Sequence, residues 1–261
     1  HQTEIMGAFL TLSTFATFIL LIIHGGLCVD IIGGAEVTPH SRPFMALIKG
    51  AKGKSICGGA LIKENWVLTA AHCNVEGGEV ILGAHSQTAR EREKQFFKIA
   101  KQIRYPCYCP NCKESDIMLL QLHKRARIGK AVQIIPLPTS DDDPKPGTTC
   151  TVSGWGQTHN RLRKFSDTLR EVNITVISRK TCNSHYKNNP VITENMICAG
   201  AKNGGKDSCF GDSGGPLRCN KVMRGITSFG KANKCGTVDG PGVYTRLTKQ
   251  YLQWIRKTIG G

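Results

Sequence analysis

The sequence predicts an all-β protein, a sandwich or a pair of barrels, finished by one C-terminal helix. Three observations carry this. Short apolar runs broken by turn signals recur from residue 31 onward. Val172-Asn173-Ile174-Thr175-Val176 alternates with the two-residue period of a half-buried strand. Glycine and proline number 29 and 11 in 261 residues, which favours many turns over long helices. Periodicity does not choose between sandwich and barrels.

In chain order, strands are expected near residues 44–48, 60–62, 66–69, 80–82, 117–122, 149–153, 172–177, 223–229 and 242–247. Over residues 247–259 the apolar positions shift to 247, 251, 254, 255 and 259, the spacing of an amphipathic helix. No repeat or low-complexity linker interrupts the pattern. The stretch Asp141-Asp142-Asp143-Pro144-Lys145-Pro146-Gly147 either joins two halves or forms a surface loop.

Residues 1–28 read as a signal peptide: an apolar run over 9–23, then Gly25-Gly26-Leu27-Cys28, partly small enough for a cleavage site. A signal-anchor helix is the alternative, but the run is short for a membrane span, and no span is expected in the mature chain. Met6 places residues 1–5 upstream of a start. The twelve cysteines point to an oxidising, secretory route. The net charge of +16 becomes +18 when residues 1–30 are removed, because they hold Glu4 and Asp30 but no Lys or Arg. So basic a surface is either simply solvated or suits a polyanion such as a sulfated glycan. No nucleic-acid recognition motif accompanies the charge, so no specific nucleic-acid partner is expected.

Three stretches carry chemistry. Gly211-Asp212-Ser213-Gly214-Gly215-Pro216 presents a serine in a glycine turn whose amides can face inward. A serine hydroxyl is a weak nucleophile without a base and without donors for the oxyanion it creates. Thr69-Ala70-Ala71-His72-Cys73 supplies a histidine, and Ser115-Asp116-Ile117-Met118 an acid entering an apolar strand. Each alone has an ordinary explanation: a turn, a packed histidine, a strand-end cap. Together they give base, orienting carboxylate and nucleophile in the order His, Asp, Ser.

These stretches, with Ile31-Ile32-Gly33-Gly34, Gly154-Trp155-Gly156, Ser228-Phe229-Gly230 and Pro241-Gly242-Val243-Tyr244, make the chain resemble the chymotrypsin-fold serine proteases over essentially all of residues 31–259. The resemblance implies two six-stranded antiparallel β-barrels with the C-terminal helix, in a protease domain over residues 31–261. It implies His72 as general base, Asp116 as its orienting acid, and the amides of Gly211 and Ser213 as oxyanion hole. Asp207, six residues before Ser213, falls where trypsin-like members place the acid of the primary specificity pocket. Ser228, Phe229, Gly230 and Gly242 fall on its walls, so cleavage after Arg or Lys is implied. Asp212 would pair with the amine freed at Ile31, making the chain a zymogen. No cofactor is implied.

Within the family the chain is similar to the granzymes, the proteases of cytotoxic-lymphocyte granules. The stretches that carry this are residues 37–45, 81–86, 105–108, 167–177 and 224–230. That likeness implies secretion into granules, target-cell killing, and removal of Val29-Asp30 by a dipeptidyl peptidase. It implies disulfides Cys57–Cys73, Cys150–Cys219, Cys182–Cys198 and Cys209–Cys235. Without Cys28, three cysteines remain: Cys107, Cys109 and Cys112. Cys107 matches the cysteine of a disulfide-linked homodimer. Cys109 and Cys112 depart from the family pattern and could bridge locally, compete with Cys107 or add cross-links. Three cysteines without a nearby histidine make a poor zinc site, so no metal is expected. Asn173-Ile174-Thr175 is an N-glycosylation acceptor, and His40, His85 and His159 read as structural or exposed. The fold also serves inactive cationic binders and digestive or plasma proteases. The complete triad argues against the first, and the short acidic propeptide against the second.

Overall fold

The computed structural model describes residues 31–51, 56–159 and 164–260. The expected signal peptide, Cys28 and the dipeptide Val29-Asp30 lie outside the described residues. Among the described residues there are thirteen strands and two helices, and twelve of the strands build two six-stranded antiparallel barrels.

The first barrel contains β2 (Met45–Lys49), β3 (Ile56–Lys63), β4 (Trp66–Thr69), β5 (Glu79–Leu82), β6 (Gln95–Arg104) and β7 (Met118–Leu122). It closes in the order β2-β3-β4-β7-β6-β5. The apolar runs of β2, β4 and β7 are buried on nearly every residue, as expected of strands that fill a barrel interior and meet a second barrel. The second barrel contains β8 (Thr149–Gly154), β9 (Arg170–Ile177), β10 (Met196–Gly200), β11 (Pro216–Cys219), β12 (Val222–Phe229) and β13 (Gly242–Arg246). The order β9-β10-β13-β12-β11-β8 closes through β8–β9 pairing over the whole of β8. The other edge of β9 is shared. Residues 175–177 pair with β10, whereas Arg170 and Glu171 pair with the two-residue strand β1 (Ala35–Glu36).

Strands β6, β10 and β11 escape the sequence pattern, each for a physical reason. Only Phe97 is buried among the ten residues of β6, so that strand shows no apolar run. Every residue of β10 is buried, but Cys198, Ala199 and Gly200 are too small to stand out. Strand β11 opens with Pro216, which is tolerated at a first strand position but reads as a breaker. Helix α1 (Arg179–Tyr186) is also unexpected. Its buried side chains are Cys182 and Tyr186, one turn apart, so it has no broad apolar stripe. Ser178 caps it by accepting the Thr181 N–H at 3.1 Å.

The expected C-terminal helix is present as α2 (Lys249–Ile259), with Thr248 as N-cap and Gly260 as the left-handed C-cap. It packs back on the first barrel through Tyr251 and Trp254, which both meet Tyr105 edge-on. Lys63 donates to the Ile259 carbonyl at 2.9 Å, which places a cation at the negative end of the helix. No helix among the described residues is long and apolar enough to cross a membrane.

Candidate active site

The β4–β7 register pairs Thr69 with Met118, so the chain leaving β4 meets the chain about to enter β7. This juxtaposition brings His72 to Asp116. The imidazole Nδ1 lies 2.7 Å from Asp116 Oδ2, and the His72 backbone N–H donates to Oδ1 at 2.9 Å. Ser228 donates its hydroxyl to Oδ2 at 2.5 Å, and Thr245 donates to the Asp116 carbonyl at 3.0 Å. Asp116 is buried, and this set of donors fixes the orientation of its carboxyl group. A carboxylate against Nδ1 assigns the proton to that nitrogen and leaves Nε2 with its lone pair. The Ser228 hydroxyl, expected only on the pocket wall, thus also reaches the acid; no sequence signal marked that contact.

Ser213 sits in a turn whose glycines meet specific demands. Gly211 and Gly214 have φ of +94° and +82°, and a Cβ on Gly214 would lie 2.1 Å from Thr69 Oγ1. The Ser213 carbonyl accepts the Gly58 N–H at 2.7 Å, tying the turn to the first barrel. The Phe210 carbonyl accepts the Gln157 N–H at 2.6 Å. In a trans peptide the N–H points opposite to the C=O, so the Gly211 N–H is turned away from Gln157. His72, Asp116, Gly211 and Ser213 all line one cleft of about 470 Å³, with Ser228, Phe229 and Gly230 on its far wall.

Asp207, one residue before the cleft-lining Ser208, does not itself line the cleft and is only 2% exposed. Its oxygens accept the N–H groups of Ser208 at 2.8 Å and Gly236 at 3.0 Å. Burial pushes its carboxyl up to about 7, against the pull of those amides. A Cβ on Gly242 would stand 2.8 Å from Asp207 Oδ1, so glycine there leaves the carboxylate its room. A Cβ on Gly230 would meet nothing within 4 Å, which keeps the entrance open. Phe229 lies partly buried, edge-on to Tyr186.

Asp212 is fully buried, and its oxygens accept N–H groups from Gly156 at 2.8 Å and Cys209 at 2.9 Å. Burial pushes this carboxyl, too, up to about 7. Side chains at Gly154 and Gly156 would collide with it, which explains the spacing of Gly154-Trp155-Gly156. Ile31 is fully buried in the second barrel among Val152, Leu217 and Tyr244. The next carbonyl, that of Ile32, accepts the Asp207 N–H at 3.0 Å. The segment at Ile32 is therefore hydrogen-bonded to the one that carries Asp207.

Among the described residues five disulfides are present: Cys57–Cys73, Cys150–Cys219, Cys182–Cys198, Cys209–Cys235 and the local Cys109–Cys112. The first fastens β3 to the segment bearing His72; the fourth closes the wall above Asp207. Cys107 is the free cysteine among the described residues, and it is exposed. Asn173 points outward from β9 and accepts the Thr151 hydroxyl at 3.0 Å. The three histidines given no partner from sequence have them. His85 is buried with Nε2 2.9 Å from Glu36, and its carbonyl accepts the Trp155 indole N–H at 2.8 Å. His40 lies 3.8 Å from Glu93, and His159 Nδ1 lies 3.0 Å from the Thr158 hydroxyl. Lys113, Tyr108 and Lys231 also line the cleft, and the sequence pattern gave none of them a role there.

Comparison with known proteins agrees with this architecture. The family model described as "Trypsin" matches residues 31–255. Bovine (Bos taurus) granzyme A is 56% identical over 237 residues, which cover 90% of each chain. Sheep (Ovis aries) mast cell protease 3 is 43% identical, covering 94% of this chain and 95% of its own. The solved structure of neuropsin, a serine protease of the mouse brain, superposes with a TM-score of 0.79 at 40% identity. It covers 87% of this chain and 98% of that one.

Proposed function

The chain belongs to the trypsin family of serine proteases, and from that premise we propose that it is a granzyme A-like endopeptidase that cuts after Arg or Lys. The observation that carries the specificity is the buried Asp207 carboxylate, one residue before Ser208, which lines the same cleft as His72 and Ser213. A buried carboxylate with amide partners but no cation is a costly group, and a substrate guanidinium or ammonium offsets that cost.

In this reading His72 Nε2 takes the Ser213 proton as Oγ attacks the scissile carbonyl. Asp116 holds the ring and stabilises its cation. The Gly211 and Ser213 amides bind the oxyanion, worth about 3–4 kcal/mol of barrier for a donor of this kind. His72 then gives its proton to the leaving amine, and water repeats the sequence on the acyl-enzyme to return free Ser213. Peptides ending in Arg or Lys reporters are expected to be cut far faster than leucyl or aspartyl ones. The opposite order would sink the pocket assignment.

Activation follows from Asp212. With Asp30 still joined to Ile31, no ammonium exists there to meet a carboxyl that burial holds near 7. A carboxyl raised from about 3.8 binds its proton more tightly folded than unfolded. Its contribution to stability is therefore present at low pH and falls as pH rises from about 4 to about 7. Removal of Val29-Asp30 by a dipeptidyl peptidase would free the Ile31 amine to pair with Asp212 and order the oxyanion turn. Carbon-13 titration of Asp212 is expected to give a midpoint near 7 in the precursor and one far lower after trimming. Equal midpoints in the two forms would reject the pairing.

The finer biology rests on the likeness to granzyme A. The segments at residues 105–108 and 227–230 favour the A type over the K type. Secretion by way of a signal peptide, storage in cytotoxic-lymphocyte granules on a sulfated proteoglycan, and a part in target-cell killing are proposed on that basis. Immunolocalisation outside granules, or no retention on a sulfated-glycan column, would count against it. The exposed Cys107 thiol suits a disulfide-linked homodimer, and Asn173 suits a glycan. A non-reducing gel run before and after glycosidase treatment reads both.

A further inference from the structure

We propose that Lys113 and Lys231 make the cleft select carboxylate side chains beside the basic residue at which the substrate is cut. The proposal rests on the reading that Asp207 takes a substrate Lys or Arg, and it adds the chemistry of the neighbouring residues. Lys113 lines the cleft from the loop before Asp116, and Lys231 from the position after Gly230, so the two lysines come from different segments of the chain. Neither forms an ion pair among the described residues. Asp116 is the one carboxylate among the residues lining the cleft, and it is already held by His72 and Ser228.

The placement of Lys113 is built rather than incidental. Its φ is +60°, a conformation that costs a lysine energy and is kept only where the surroundings enforce it. The enforcement is visible on both sides. The Cys109–Cys112 disulfide closes the preceding turn, and the Cys109 N–H donates to the Glu114 carbonyl at 3.0 Å. The Glu114 carboxylate is in turn engaged by the Thr193 hydroxyl, not by Lys113. The Lys231 ammonium lies over the Tyr186 ring, 5.6 Å from its centroid, a cation–π contact that positions the charge and leaves it without a carboxylate partner among the described residues. A bound peptide with one cation at Asp207 and a second beside it would set like charges together at the rim. A carboxylate there would meet an unpaired ammonium.

Internally quenched peptides with a single Arg, flanked on both sides by Glu, Ala or Gln, test this on the trimmed protein. Each exposed pair is worth a factor of about 2 to 5, so kcat/KM is expected to favour Glu-flanked over Gln-flanked peptides by about 10-fold at low salt. The ratio should shrink towards one near ~0.5 M salt. Lys113→Glu and Lys231→Glu should each lower it and together reverse it, with fluorophosphonate labelling of Ser213 unchanged as the check on folding. Equal rates on the three Arg peptides, or a Glu preference that survives both substitutions, would overturn the proposal. A Glu preference on peptides cut at a residue other than Arg or Lys would overturn the Asp207 reading and leave the selection by Lys113 and Lys231 standing.

Discussion

Ser213→Ala is expected to lower kcat by about 10⁶-fold, the scale on which one member of a nucleophile–base unit acts. The hydroxyl is the only atom group removed, and the turn that carries it is held by other bonds. The Ser213 carbonyl accepts from Gly58, and the Gly214 N–H donates to the Thr227 carbonyl at 2.8 Å. The variant should therefore melt at the wild-type temperature while losing both activity and fluorophosphonate labelling. His72→Ala should cost as much, and the double variant no more, because the proton transfer and the attack are one event. Asp116→Asn should cost about 10⁴-fold: an amide N–H₂ in place of Oδ2 faces Nδ1–H and drives the ring towards the wrong tautomer. Retention of a few per cent of activity in Ser213→Ala would move the nucleophile elsewhere.

These residues were legible because their chemistry is local and their spacing unusual. The glycines around Ser213 and the small residues before His72 satisfy the close packing of two barrels, where added side chains would strike backbone or Asp212. Strands with a solid apolar run, such as Trp66–Thr69, were equally readable. What stayed hidden depends on long-range contacts. Strand β6 is defined by hydrogen bonds to β5 and β7, not by an apolar face. The Ser228–Asp116 bond joins positions 112 residues apart, and either residue has a sufficient alternative explanation. Lys113 and Lys231 looked like two of 35 basic residues until the fold placed them on one cleft. His85 read as either structural or exposed, and its structural role came only with partners distant in sequence: Glu36, Trp155 and Leu169, where the barrels meet.

Asp207→Ser is expected to lower kcat/KM for an Arg reporter by about 10²- to 10⁴-fold, the cost of breaking a buried ion pair by removing one partner. Rates on an uncharged reporter should stay within a few-fold, so that the preference collapses rather than the enzyme. The raised carboxyl adds a pH signature. A cation binds the ionised form, and Asp207 holds its proton up to about 7. Affinity for an aromatic amidine should therefore fall about tenfold for each pH unit below that point and level off above it. The same shift acts on stability in the opposite sense. Between about 4 and 7 the folded chain binds the proton that the unfolded chain has lost, so the unliganded protein loses this contribution as pH rises. Bound amidine, present only where the carboxylate is ionised, should raise the melting temperature most at the alkaline end. If Asp207→Ser abolished fluorophosphonate labelling along with Arg cleavage, Asp207 would be a support of the oxyanion turn and not the selector of substrate.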